Sequence, residues 1–388
     1  MVTMTSADSA LKEFYLGAVS EQLNTSVNPL LAKIRQSTAD VWGKEVRRLA
    51  QYGVNGGVGA GTEEGDLPAS GGNNYEQFVT TLKNLYGTVE ISDKAVRASE
   101  NSAGAFVDLL NAEMEGLVRA SAFNFGRMLF GDGSGVLCKV SAISGNTVTA
   151  DSVQNLIEGM TVDIRGADGT AIPTAAARRI LTLDRSTKQI TLSGAAITGV
   201  EEGDLICVQG SYNLELTGLG AIFKSTGTLY GLDRATHKWM VPHMEEKVGS
   251  ITEAKLQAAL DKLEETAGSR INFIVCSWGV KRALQAALSS SRIPIDTEVL
   301  AGGYKAITYN GIPVVADRFC PSGTMYLLNT DDFCLHQLCD WKWLEGDDGR
   351  VLRQVPGKPL YTATLVKYAD LVCTRPCGQA MLSGITEG

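Results

Sequence analysis

The spacing of apolar positions changes several times along this chain. Between 103 and 130, Phe106, Leu109, Leu110, Met114, Leu117, Val118, Phe125, Met128 and Leu129 recur at steps of three and four. That period gathers them on one face of a long helix, which at about 1.5 Å per residue spans roughly 40 Å. The run GDGSG, residues 131–135, ends it. Upstream, LKEFYLGAV and LLAKIRQSTADVWGKEVRRLAQY read as helix or extended arm, broken at Asn28-Pro29 because the proline ring forces its predecessor into extended geometry. After residue 73 the period shortens. Phe78, Thr80 and Leu82, then Tyr86, Val89 and Ile91, alternate in the manner of strands. Between the strand-like flanks lies GVNGGVGAGTEEGDLPASGG, residues 53–72, with eight glycines, so the expectation is a long hairpin with a flexible tip.

From 136 to 212 the apolar runs are short and separated by turn residues. VSAISGNTVTA followed by EGMTVDIRG is echoed by ILTLDRSTKQITL followed by EGDLICVQG. Each copy supplies three strands. Six such strands bury their alternate faces only by closing into a small barrel or stacking as a sandwich, so this stretch is expected to be an inserted β-domain. Beyond it, Ser250 and Glu253 form a capping box for the helix ITEAKLQAALDKLEETAG, which Gly268 ends. INFIVCS reads as a buried strand leading into the helix WGVKRALQAAL; GIPVVAD, TMYLLN and VLRQVPGKPLYTATLVKYADLVC supply further strands. The fold class is therefore α+β.

Composition narrows the function. A 388-residue chain with 44% hydrophobic residues holds a sizeable core, and a formal charge of −8 argues against a protein that coats nucleic acid by neutralising phosphates. No apolar run is long enough to span a membrane and the N-terminus has no signal-peptide pattern, so folding in the cytoplasm is expected. Eight cysteines, Cys138, Cys207, Cys276, Cys320, Cys334, Cys339, Cys373 and Cys377, lie mostly in apolar runs and are read as free thiols; the spacings around Cys334, Cys339, Cys373 and Cys377 do not match paired zinc ligands.

The chain offers little candidate chemistry. The glycine run lacks the lysine of a phosphate-binding loop, and Thr62 and Glu64 stand where the dinucleotide fingerprint needs glycine. Glu63, Glu64 and Asp66 repel a polyanion. Cys276 and Ser277 sit at a strand-to-helix bend, but Val275 replaces the first glycine of a nucleophile elbow. His237, His243 and His336 fall in no metal or triad pattern, and the adjacent carboxylates Glu245–Glu246, Glu264–Glu265 and Asp347–Asp348 splay apart. No catalytic residue, cofactor or metal site is assigned, and no enzyme activity is expected.

The order of elements carries more than any motif. An arm through SVNPLLAKIRQST, the hairpin on GVNGGVGAGTEEGDLPASGG, the helix AFVDLLNAEMEGLVRASAFNFGRMLFGDGSG and the stretch SSSRIPIDTEVLAGGYKAITYNGIPVVADRFCPSGTMYLLNTDDF together resemble the major capsid protein of tailed bacteriophages, the Hong Kong 97 (HK97-like) fold. The resemblance implies an N-terminal arm over 1–40, an extended loop over 41–100 and a spine helix within 101–135. It further implies peripheral-domain segments over 213–250, a mainly axial domain over 251–335 and peripheral and axial strands over 336–388, with 136–212 inserted. It also implies hexamers and pentamers that close into an icosahedral head around double-stranded DNA, bound on the inner face without sequence specificity, in which the extended loop lies on a neighbouring subunit.

Inter-subunit contacts are expected at Arg47, Arg48, Gly57, Gly59, Glu63, Glu64, Asp66, Tyr75 and Phe78, with the glycines letting the tip bend. Partners implied are further copies, a portal, a decoration protein and, because only about forty residues precede the hairpin, a separate scaffolding protein unless the chain is already mature; no membrane is involved, and the location is the virion. Lys83 and Lys94 cannot be aligned to the covalent cross-linking chemistry of some relatives, so no cross-link is expected. An encapsulin-type compartment shell and a soluble enzyme of unrelated α/β fold stand as alternatives.

Overall fold

The computed structural model describes residues 28–39, 41–94, 103–290, 297–299, 305–346, 349 and 351–388. Most of the arm expected over 1–40 lies outside these, as do 95–102 and the Asp347–Asp348 pair.

One helix, Ala103–Phe130, organises the molecule. Its buried side chains Met114, Val118, Ala122, Phe125 and Leu129 face a five-stranded sheet. The centre of that sheet is Leu360–Cys373, paired antiparallel with Phe333–Trp343 on one side and with Lys83–Ser92 on the other. Arg35–Ser37 joins Phe333–Trp343 in parallel, and Arg353–Gln354 pairs near the start of the central strand. Alternation explains which face is inside: Leu85, Val89 and Ile91 are buried, while Tyr86 points out. Gly87 lets the strand approach the helix closely, since a Cβ there would lie 3.0 Å from Leu117 Cδ1 and 3.1 Å from Ser121 Oγ.

A second sheet of seven strands runs in the order His243–Glu245, Ala380–Leu382, Met325–Leu328, Phe273–Cys276, Ile312–Ala316, Lys305–Tyr309, Thr297–Val299. Helices Glu253–Ala267 and Trp278–Ser290 pack on it through Leu256, Leu263, Val280 and Leu284. The first of these helices ends as expected, at Gly268 in left-handed geometry, but its cap is Thr252, whose hydroxyl accepts from Lys255 N at 3.3 Å, not Ser250. The seven-stranded sheet draws strands from both sides of segment 251–335. His243–Glu245 and Ala380–Leu382 belong to this sheet, whereas Phe333–Trp343 crosses into the five-stranded one.

Residues 136–208 close into a six-stranded barrel with a core of its own, including Val148, Leu156, Val162, Ile164, Ile190 and Ile206. Of the two options open from the repeat, barrel is therefore the one adopted. At its neck, Asn213 N donates to Ser134 O at 2.7 Å.

The hairpin pairs Glu45–Tyr52 with Asn74–Thr81 over eight residues, from Glu45 opposite Thr81 to Tyr52 opposite Asn74. It is shorter than the 41–100 expected from sequence. The chain leaves it at Leu82, whose N–H donates to Lys44 O at 3.0 Å, and Lys83–Ser92 then enters the five-stranded sheet.

Candidate assembly interface

The hairpin has a docked base and an uncovered end. Its inward face stacks on the segment 228–240: Tyr52 lies on Trp239 with ring centroids 5.1 Å apart, and Phe78 meets Trp239 at 5.9 Å and Tyr230 at 5.6 Å. Val79 N donates to Tyr230 O at 2.9 Å. Deeper, Thr80 Oγ1 donates to Asp370 Oδ2 at 2.6 Å, and the same carboxylate accepts from Thr217 N at 2.8 Å and Thr217 Oγ1 at 3.0 Å. Burial raises the Asp370 carboxyl above its ordinary range, and these donors oppose the rise. One buried carboxylate thus joins hairpin, central strand and the segment leaving the barrel.

Phe78 is therefore corrected. It is 2% exposed, a core residue of its own subunit, because even-numbered positions of this strand face inward. Tyr75 lies on the opposite face, half exposed, its hydroxyl accepting from Asn73 Nδ2 at 3.1 Å. Arg47 is exposed and paired with Glu45 of its own strand at 3.0 Å; Arg48 is half-buried. Both stand at the base, opposite Val79 and Phe78. Glu63, Glu64 and Asp66 stand at the far end, exposed and without an ion pair among the described residues. The turn there is closed by Gly65 N donating to Thr62 O at 3.2 Å.

Some of the glycines sit where the two limbs come close. Gly57 and Gly71 face each other across the two limbs, and a Cβ on Gly57 would lie 2.7 Å from Gly71 N. A Cβ on Gly59 would lie 3.2 Å from Pro68 Cγ. These positions let two limbs of chain run against each other where a side chain would not fit.

Sequence reasoning passed over the apolar side chains of the same stretch. Leu49, Val54, Val58 and Leu67 are 66%, 84%, 88% and 90% exposed. The available signal was the presence of valine and leucine inside a glycine-rich, acidic run, where solvated loops have little use for them. Removing such side chains from water is worth about 1.5–3 kcal/mol each when complete.

Elsewhere the polar clusters are structural. Ser277 Oγ donates to Glu387 Oε1 at 2.5 Å and accepts from Val280 N at 3.4 Å, capping the helix that follows. Cys276 is buried, and burial pushes its thiol up to about 12, far from a nucleophilic thiolate. The Arg127–Glu215 pair, bidentate at 2.6 and 2.8 Å and almost wholly buried, fastens the end of the long helix to the chain leaving the barrel. Lys367, fully buried, donates to Gln337 Oε1 at 2.7 Å and Asp340 Oδ1 at 2.6 Å. Among the described residues, no group of three His, Cys, Asp or Glu side chains is placed to hold a metal, and no helix is long and apolar enough to cross a membrane.

No protein-family model matches the sequence, and no curated protein does. Solved structures do match in shape. A chain of the cyanophage A-1(L) capsid asymmetric unit is similar at 13% identity and a TM-score of 0.55, over 96% of this chain and 93% of that one. The capsid of Myoviridae phage XM1 matches at 8% identity and a TM-score of 0.47, over 93% and 92%. The holo-SrpI encapsulin complex from Synechococcus elongatus PCC 7942 matches at 10% identity and a TM-score of 0.44, over 93% and 89%. By its likeness in shape to the cyanophage chain, the protein has the Hong Kong 97-like fold.

Proposed function

We propose that this protein is the major capsid subunit of a tailed bacteriophage, a structural protein whose work is assembly into hexamers and pentamers of an icosahedral head. The observation that carries the reading is the hairpin: its base is locked to the body by Phe78 and Asp370, while its tip exposes Val54, Val58 and Leu67. Such a tip completes its burial only on another molecule. The fold shared with the cyanophage A-1(L) capsid chain along nearly the whole length supports a second copy as that molecule.

In this reading the five-stranded sheet and long helix are the peripheral domain, the seven-stranded sheet with its two helices is the axial domain, and the barrel is an insertion. Arg47 and Arg48 at the hairpin base, the acidic tip and Tyr75 are the contact residues, with Gly57 and Gly59 shaping the finger. A separate scaffolding protein, a portal and a decoration protein are partners, assembly takes place in the host cytoplasm, and the net charge of −8 suits an inner surface that holds DNA without binding it tightly. Electron microscopy of the overproduced, purified chain tests the reading. Capsomer rings or closed shells are expected; a monodisperse monomer at high concentration contradicts it.

A further inference from the structure

The barrel contains its own internal comparison. Its first three strands, Val136–Ser144, Thr147–Ala150 and Thr161–Arg165, and its last three, Arg178–Asp184, Gln189–Leu192 and Leu205–Val208, exchange places under a local twofold. The match holds residue by residue. Cys138 and Lys139 stand opposite Ile206 and Leu205, as Arg178 and Arg179 stand opposite Val162 and Thr161. Gly203 N donates to Val140 O at 2.8 Å and Val140 N to Asp204 O at 2.8 Å; in the other half Gly159 N donates to Ile180 O at 2.9 Å and Ile180 N to Met160 O at 2.8 Å. Gly159 and Gly203 share a left-handed backbone, at φ +89° and +91°. The register skips Ser141 in one hairpin and Leu181 in the other. Core positions agree too, Val153 with Ile197 and Leu156 with Val200, all buried.

Against that equivalence two surface positions diverge. Ser141 and Glu201 are exposed polar residues; their counterparts Leu181 and Ile157 are apolar and 52% and 36% exposed. The scaffold does not require leucine or isoleucine there, since it accepts serine and glutamate in the same geometry. The loop carrying Ile157 lies along the strand carrying Leu181, bonded through Gly159 and Met160 to Ile180. Two arginines flank the patch. Arg179 Nη2 lies 3.8 Å from where a Gly159 Cβ would stand, and Arg185 donates to Val153 O at 3.3 Å and Leu156 O at 3.4 Å. Two acids lie nearby as well, Glu158, which accepts from Leu183 N at 3.1 Å, and Asp184, which accepts from Ser186 N at 2.8 Å.

We infer that this face of the barrel is the receptor for the hairpin tip of a second copy of the chain. The chemistry is complementary. Val58 and Leu67 are uncovered, Glu63, Glu64 and Asp66 stand between them, and residues 53–73 contain no lysine or arginine. Apolar side chains meet the Leu181–Ile157 patch while the acids face Arg179 and Arg185. The inference rests on the assembly reading and adds the location of the contact.

Replacing Leu67 of the full chain with the photo-cross-linker p-benzoyl-phenylalanine, then irradiating assembled material, tests it. Covalent dimers are expected, with cross-linked peptides inside residues 157–185 of the second copy. Dimers whose cross-links map elsewhere overturn the inference and leave the assembly reading standing. Failure of the unmodified chain to form any oligomer overturns both. The double variant Leu181→Ser with Ile157→Glu installs the residues that the other half already tolerates. It is expected to lower dimer yield at least tenfold with unchanged thermal unfolding, and an unchanged yield contradicts the proposal.

Discussion

Two residues show how burial, rather than residue type, decides a role. Asp317 is 3% exposed; its Oδ1 accepts from Phe319 N at 2.9 Å, and burial pushes its carboxyl up to about 6. Because the folded state holds this proton more tightly than the unfolded chain, the group destabilises progressively as pH rises from about 4 to about 6, and fully above that. Asp317→Asn keeps the turn and removes the charge. Equilibrium unfolding of the variant is expected to show a gain on the order of 1–3 kcal/mol at pH 7.5 that disappears near pH 4. Phe78 makes the opposite point. Read from sequence it is a surface contact on a finger; in the structure it fills the space between Trp239 and Tyr230. Phe78→Ala is expected to cost about 3–5 kcal/mol in denaturant titration, where a surface contact of a single copy would cost almost nothing.

At the scale of elements, what was legible followed periodicity. The helix Ala103–Phe130 was readable because its stripe persists over many turns, and the six barrel strands because the repeat announces each strand and turn twice. What was not legible is a change of partner. Asn74–Thr81 and Lys83–Ser92 alternate almost continuously, with only Leu82 between them, yet they belong to different sheets. Alternation records which face is buried and not which strand lies alongside, so sequence alone does not mark where the hairpin ends. The same limit hid the crossing of Phe333–Trp343 between sheets. The candidate site was half readable: charges and glycines marked the tip, while the inward aim of Phe78 depended on a register no local pattern supplies. The separate barrel core carries a prediction of its own. Ile190→Ala, at a fully buried position, is expected to speed hydrogen exchange of barrel amides by the equivalent of about 2–4 kcal/mol while amides of Leu360–Cys373 keep their protection. Uniform loss across both would show that the barrel is not an independent cooperative unit.

For the whole molecule, the distribution of unsatisfied surface matters more than any single site. The body pairs several of its buried charges internally, through Arg127–Glu215, Lys367–Asp340 and the Asp370 cluster, and buries most of its cysteines. The hairpin does not close, and it carries basic residues at its root and acidic ones at its end. Within one copy these charges are held apart along the finger. Reversal to Glu at both Arg47 and Arg48 is expected to leave the melting temperature of the subunit within a few degrees and to reduce particle yield severalfold at low salt; an unchanged yield would remove these arginines from the contact. The account as a whole stands on one claim, that residues 53–73 are covered by a second copy when the protein assembles. Hydrogen–deuterium exchange of that segment, compared between dispersed subunits and sedimented particles, measures it directly. Slowing of at least tenfold in the particles is predicted, and equal exchange in the two states would contradict it.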